Sequence, residues 1–282
     1  MYFSLIISTI DRTKELQLLF DSLIISEFTG FEIIVVDQNG TPIIDQIITD
    51  YSNQLNIKHI KSTDTGLSKG RNLGILNASG EVFCFPDDDS VYPPSLLREV
   101  FNCFGKKNIY QGVSVKCRAI EDNSDFGRWS NSPTEVNRKN CLTTTMSTGL
   151  FLKKTAVLDT GFFDENLGAG AQSPYLSGEE TDFVLRFLQK GHRLFYNPEL
   201  FVFHPKKVIN YSSIEQKRAF EYGLGLGFVL NRHNFTIFET ANIFYRPLIG
   251  ILYGFIFLNF KKTKFYFFSL KGRLRGFYSK LN

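Results

Sequence analysis

Four cysteines in 282 residues, none of them in a Cys-x-x-Cys pair, leave neither a disulfide framework nor a thiolate metal cage. Cys84, Cys103, Cys117 and Cys141 read instead as small core residues of a chain kept in a reducing compartment. The start, Met-Tyr-Phe-Ser-Leu-Ile-Ile-Ser-Thr-Ile, has no basic flank and meets Asp11-Arg12 too early for a secretory leader, which points to the cytosol. Long apolar runs are missing too: residues 247–260 give 14 uncharged positions, short of the roughly 20 that a spanning helix needs. No internal repeat is visible, and a 43% apolar composition excludes a disordered chain.

Charge is present but unevenly placed. Residues 206–282 hold 13 Lys and Arg against 3 Asp and Glu, a net +10, while residues 1–205 hold 19 against 25, a net −6. A basic tail seeks an acidic partner, an anionic membrane surface or nucleic acid. The uncharged run followed by Lys261, Lys262, Lys264, Lys271, Arg273 and Arg275, with Phe and Tyr interleaved, suits lipid better and argues against nucleic acid. The expectation is a catalytic body over 1–205 and a helical, membrane-associating tail over 206–282, peripheral on the inner face of the plasma membrane.

Through the first hundred residues, buried-strand runs alternate with helical spacing. Residues 3–8, 31–36, 56–61 and 82–85 read as strands; 14–25, 43–51 and 66–76 read as helices or loop and helix. That order predicts a parallel sheet with ligands at the carboxyl ends of its strands, where the polar clusters fall. Further on, 143–152 reads as a strand, 120–140 as an irregular loop over a site, 179–189 as an amphipathic helix ended by Gly191, and 194–204 as a strand pair broken at Asn197-Pro198.

The strand at 82–85 runs into Pro86 and then Asp87-Asp88-Asp89. Adjacent carboxylates repel and are not buried unpaired, so they form a solvated turn or hold a cation. On an extended segment Asp87 and Asp89 point to one side and can converge on Mg²⁺ or Mn²⁺, with Asp88 facing away.

Three landmarks, in this order, make residues 1–205 resemble a family 2 glycosyltransferase of the inverting GT-A type, close to those of bacterial surface-polysaccharide assembly. They are Ser8 to Arg12 with the strand ending at Asp37; Gly66-Leu67-Ser68-Lys69-Gly70-Arg71-Asn72 leading to Asp87-Asp88-Asp89; and Gly178-Glu179-Glu180-Thr181-Asp182 through Arg186 to His204-Pro205. The resemblance implies an α/β fold, a Rossmann-like mixed sheet with helices on both faces. It implies an Asp-x-Asp metal site of Asp87 and Asp89, completed by His204, for Mn²⁺ or Mg²⁺. Thr9, Arg12, Asp37, Asp64, Arg71, Asn72 and Asp88 take donor-binding positions, with Gln38 standing where the family pattern carries a second acid. The catalytic base falls on Glu180, a Glu where the pattern has Asp, with Glu179 and Asp182 as alternatives. Phe126 and Trp129 could stack on an acceptor sugar.

The implied reaction moves a sugar from a nucleotide-diphosphate donor, a UDP-sugar foremost, to a glycan or lipid-linked acceptor in polysaccharide biosynthesis. Two other readings stand beside it: a non-catalytic sugar-nucleotide-binding scaffold at the membrane, favoured by Gln38 and Glu180, and a sugar nucleotidyltransferase, which would need a Gly-rich loop that Ser8 to Arg12 lacks.

Overall fold

The computed structural model describes residues 1–106, 108–206 and 208–280, so the expected tail at 206–282 is described apart from residues 207, 281 and 282. Two compact units form: Met1–Phe163 with Phe183–Lys206, and Asp164–Asp182 with Lys207–Asn282.

In the first unit the strands β1 (Phe3–Thr9), β2 (Phe31–Asp37), β3 (Ile57–Lys61) and β4 (Val82–Cys84) pair in parallel, linked by α1 (Lys14–Ile24), α2 (Asp45–Tyr51) and α3 (Leu67–Asn77). β1 and β2 are near-continuous Ile, Leu and Val because helices cover both faces, and almost every residue in them is buried. After β4 the sheet becomes mixed. α4 (Leu96–Lys106), β5 (Gly112–Ala119), β6 (Thr134–Glu135), β7 (Leu150–Lys153), α5 (Lys154–Thr160), α6 (Glu179–Gln189) and β8 (Leu194–His204) complete the strand order β3-β2-β1-β4-β7-β5-β8-β6. β7 runs antiparallel to both β4 and β5, and β8 runs parallel to β5. The chain leaves β1 toward β3 and returns to β4 on β1's other side, so a crevice opens at the carboxyl ends of β1 and β4.

Two expectations need correction. Residues 143–152 are not one strand: 3₁₀ turns at Cys141–Thr143 and Ser147–Gly149 precede β7, which starts at Leu150. The β-branched run was misleading because the Thr148 hydroxyl pairs with Ser90 at 2.6 Å and its carbonyl accepts from Tyr92, side-chain partners that no ladder supplies. Residues 194–204 are one strand rather than a broken pair. Val115 faces Asn197 and Lys116 faces Phe201, so Pro198, which has no N–H to give, sits in the bulge between them.

Glu32 on β2 is a buried carboxylate with one oxygen accepting from the Ser4 hydroxyl (2.6 Å), the Ser79 hydroxyl (2.7 Å) and the Ser79 and Gly80 N–H groups (2.6 and 3.2 Å). Burial works to raise its pKa, but these four donors outweigh it and the pKa falls below the ordinary carboxylate value. A depressed folded-state pKa gives stability that is fully present above the unfolded value, near 4.3, and is lost as pH falls through the folded one. Glu32→Gln should therefore cost about 2 kcal/mol in denaturant unfolding at pH 7 and much less once the pH is below the lowered folded-state pKa. An equal cost at both pH values would show that shape, not charge, matters there.

The second unit contains α7 (Ser213–Arg232), α8 (Ala241–Ile256) and α9 (Phe260–Phe277). Ser212 and Glu215 start α7 with a reciprocal capping box. Gly223 and Gly227 of α7 press on the α9 backbone at Ser269, Arg273 and Phe277, and Gly272 and Gly276 of α9 press on Phe220, Leu224 and Phe228 of α7. A β-carbon at any of the four would overlap backbone atoms. The uncharged run 247–260 is not a single helix. It covers most of α8, a turn in which Leu258 has φ 51°, and the first residue of α9, which Asn259 caps by accepting from the Lys262 N–H. Among the described residues no helix is long and apolar enough to cross a membrane.

Candidate active site

β4 ends in the crevice, and the next residues carry the three carboxylates. Asp89 Oδ1 lies 3.0 Å from His204 Nε2, and Asp87 Oδ2 lies 3.9 Å from the same nitrogen. β8 delivers His204 because its last residues run beside β5 and form a bridge between Phe203 and Val91. His204 Nδ1 faces the Pro205 carbonyl at 3.0 Å, and a carbonyl only accepts, so Nδ1 carries a proton and Nε2 is the atom turned to the carboxylates. Phe126 packs on this imidazole with ring centroids 4.7 Å apart, and Trp129 stacks on Tyr196 at 5.9 Å.

The three acids differ electrostatically. Burial pushes Asp88 up to about 6, helped by Asp89 and Asp87 and opposed by the Thr9 hydroxyl, which donates at 2.8 Å. Burial also acts to raise Asp89, but His204 and Arg12, whose Nη2 is 3.5 Å away, outweigh it and hold Asp89 below the usual range. His204 moves the opposite way: burial lowers it, but Asp89, Asp87 and the Pro205 carbonyl leave it raised. Asp89 is thus an ionised carboxylate at neutral pH. Two carboxylates and one imidazole on converging atoms form a donor set that suits Mn²⁺.

Arg71 on α3 is 1% exposed. Its Nη2 donates to Asp87 at 3.0 Å and to Ser147 Oγ at 2.9 Å, and its guanidinium lies over the Phe163 ring. What it reaches directly is Asp87, whose carboxylate it orients. Neighbouring Asn72 pairs with the Phe163 backbone through both amide atoms at 2.9 Å, tying α3 to that segment. Asp64 is exposed on the loop before α3, 4.0 Å from Lys69 Nζ.

Asp37, 1% exposed at the end of β2, accepts from the Asn39 backbone and side chain through Oδ1 and faces His59 Nε2 at 2.9 Å through Oδ2. Asp45 adds a third group to this cluster, with ligand atoms of all three residues within 4.8 Å. Lys61 Nζ sits 2.5 Å from Asp45, so positive charge is already in place there.

Gln38 has a role that the sequence did not disclose. Its amide donates to the Gly66 carbonyl at 2.9 Å and accepts from the Gly66 N–H at 3.1 Å, a two-way clamp on the loop that opens α3. Gly66 has φ 128°, which a side chain rarely adopts. A carboxylate at position 38 could accept but not donate, so Gln is the residue type that closes both bonds.

The first turn of α6 carries the acids proposed as base. Glu180 is partly exposed, Glu179 is buried, and Asp182 is 0% exposed. Asp182 Oδ1 meets His233 Nε2 at 2.9 Å and Arg232 Nη1 at 3.3 Å, and Arg232 also holds Asp164 at 2.6 Å, so Asp182 ties the start of α6 to the end of α7.

The family model described as glycosyl transferase family 2 matches residues 4–162. An uncharacterized glycosyltransferase of Haemophilus influenzae is 23% identical over 193 residues, covering 66% of this chain and 62% of that protein. Poly(ribitol-phosphate) beta-N-acetylglucosaminyltransferase TarS of Staphylococcus aureus is 34% identical over 103 residues, 35% of this chain and 18% of TarS. This chain therefore spans less than two thirds of the length of these relatives. A TarS crystal structure in complex with UDP-GlcNAc superimposes with TM-score 0.65 at 17% identity, covering 98% of this chain and 91% of that one. A mannosyltransferase of Pyrobaculum calidifontis in complex with GDP-Man and Mn²⁺ gives 0.63 at 12%, covering 98% and 87%. These likenesses show a GT-A fold, and with a family model spanning more than half its length, the chain belongs to glycosyl transferase family 2.

Proposed function

We propose that the protein is an inverting glycosyltransferase that moves a sugar from a nucleotide-diphosphate donor, a UDP-sugar foremost, to a lipid-linked glycan at the cytoplasmic face of a membrane, in polysaccharide assembly. The observation that carries this reading is the convergence of Asp89, Asp87 and His204 where β4 and β8 end, in a chain of this family. The residues fit a divalent cation: Asp87, Asp89 and His204 would hold it, and when bound it would offset the charge that develops on the leaving diphosphate. Arg71 orients Asp87, and Arg12 steadies Asp89. Thr9 fixes Asp88 by donating to it, which leaves the other carboxylate oxygen for a hydroxyl of the donor.

Inversion needs one base to take the acceptor hydroxyl's proton as that oxygen attacks the sugar carbon. Glu180 is favoured because a base must be reachable: Glu179 is buried, and Asp182 is enclosed and bridged by His233 and Arg232. The membrane part of the reading is supported by the exposed apolar residues Leu252, Phe255, Ile256, Phe257, Leu258 and Phe260 next to the basic tail.

Nucleotide release from a panel of sugar nucleotides, assayed with membranes that carry lipid-linked glycan, tests the reading. Turnover should require Mn²⁺ or Mg²⁺, fall at least about 100-fold in EDTA and invert the anomeric configuration. Nucleotide-sugar binding without turnover under every condition would leave the scaffold reading in its place.

A further inference from the structure

α8 and α9 bring together two arginines, and among the described residues neither has a carboxylate partner. The presence of Arg273 has a local cause. Pro247 lies inside α8 and has no N–H, so the carbonyl of Ile243, four residues earlier, loses its helical partner, and Arg273 Nη1 donates to it. Arg246 has no such cause. Its guanidinium has neither a hydrogen-bond nor an ion-pair partner among the described residues, and the Nε atoms of Arg246 and Arg273 are both buried and unpartnered. The acids of α7 and the loop after it are engaged elsewhere: Glu215 in the α7 cap, Glu221 with Lys217, and Glu239 with Thr236.

The pair is costly as it stands. Burial and then the Arg246 charge pull the Arg273 guanidinium down to about 10, so the two cations repel each other. Two planar guanidinium forks with free donors match the oxygens of a phosphate group. The surroundings indicate who presents that phosphate. Ile249, Tyr253 and Ile256 follow Arg246 at helical spacing on α8, and all three are exposed, so the cation heads an apolar stripe. A charged headgroup above an acyl region has that same sequence of polarities.

We propose that Arg246 and Arg273 bind one phosphate group, presented by an anionic lipid whose apolar part meets the Ile249–Tyr253–Ile256 stripe. The lipid as source rests on the membrane reading above; the phosphate site does not.

The test uses the full chain, R246M, and K271Q as a control that removes an exposed charge of α9. Inorganic phosphate, compared with chloride at equal ionic strength, should raise the melting temperature of the native protein and of K271Q by about 4 °C or more at saturation, and should leave R246M unmoved. In chloride R246M should melt no lower than the native protein, because a repulsion has been removed; a merely structural Arg246 would give the opposite. On phosphatidylcholine vesicles containing phosphatidylglycerol, K271Q should lose about fivefold in binding and R246M on the order of 30-fold. The double variant I249S/I256S should weaken vesicle binding while keeping the response to phosphate. Equal phosphate responses in native protein and R246M, or vesicle binding by R246M equal to that of K271Q, overturn the proposal. A phosphate response that needs Arg246 in a protein that ignores vesicles would sustain the site and overturn the lipid as its source.

Discussion

Asp89→Ala should lower turnover by about 100-fold or more, the largest loss expected of any change among the three consecutive acids. Asp89 is the carboxylate closest to His204 and, of the two proposed ligands, the one that also faces Arg12. Its pKa is lowered against the pull of burial, so it stands ionised at neutral pH and would give a bound metal a full negative charge. Alanine removes that charge and leaves His204 and Arg12 facing a gap. Asp88→Asn should cost far less, because that carboxylate turns to the Thr9 hydroxyl and not to His204. Turnover measured across a Mn²⁺ titration separates the possibilities: a loss that excess metal partly restores is a loss of affinity, whereas a loss at all concentrations is a loss of transition-state stabilisation. Asp89→Ala turning over at the native rate would remove the metal site from the mechanism.

Glu180→Gln should abolish turnover, with donor binding close to native, since the amide keeps the shape of the side chain and cannot take up a proton. The neighbouring acids provide the contrast. Asp182→Asn strips the charge from a carboxylate bridged by His233 and Arg232, so any loss of activity there should come with a lower melting temperature. Glu180→Gln should leave the melting temperature unchanged. An active Glu180→Gln beside an inactive, fully stable Glu179→Gln would move the base by one residue.

The parallel half of the sheet was legible in the sequence because its signals are local. β1 and β2 are buried on both faces and announce themselves as unbroken Ile and Val, and Asp87 to Asp89 stand out because no core tolerates three adjacent acids. What escaped depends on partners far away in the chain. Thr148 looks like a strand residue until Ser90 and Tyr92 are placed beside it, and Gln38 looks like a lost acid until Gly66 is seen between its two amide atoms. The bond from Arg71 to Ser147, 76 positions later, was equally out of reach. The bulge at Pro198 needed the register of β5 to be known.

Gly223 and Gly227 on α7 and Gly272 and Gly276 on α9 are spaced four apart on both helices, so the two backbones meet along a seam with almost no side chain in it. Most helix pairs in water cohere by hiding large apolar side chains, a force that disappears once the surroundings are themselves hydrocarbon. Contact between bare backbones depends instead on dispersion at close range, which is the same in either solvent. If the proposed membrane contact is made, the α7–α9 seam would hold as firmly at a bilayer surface as in water.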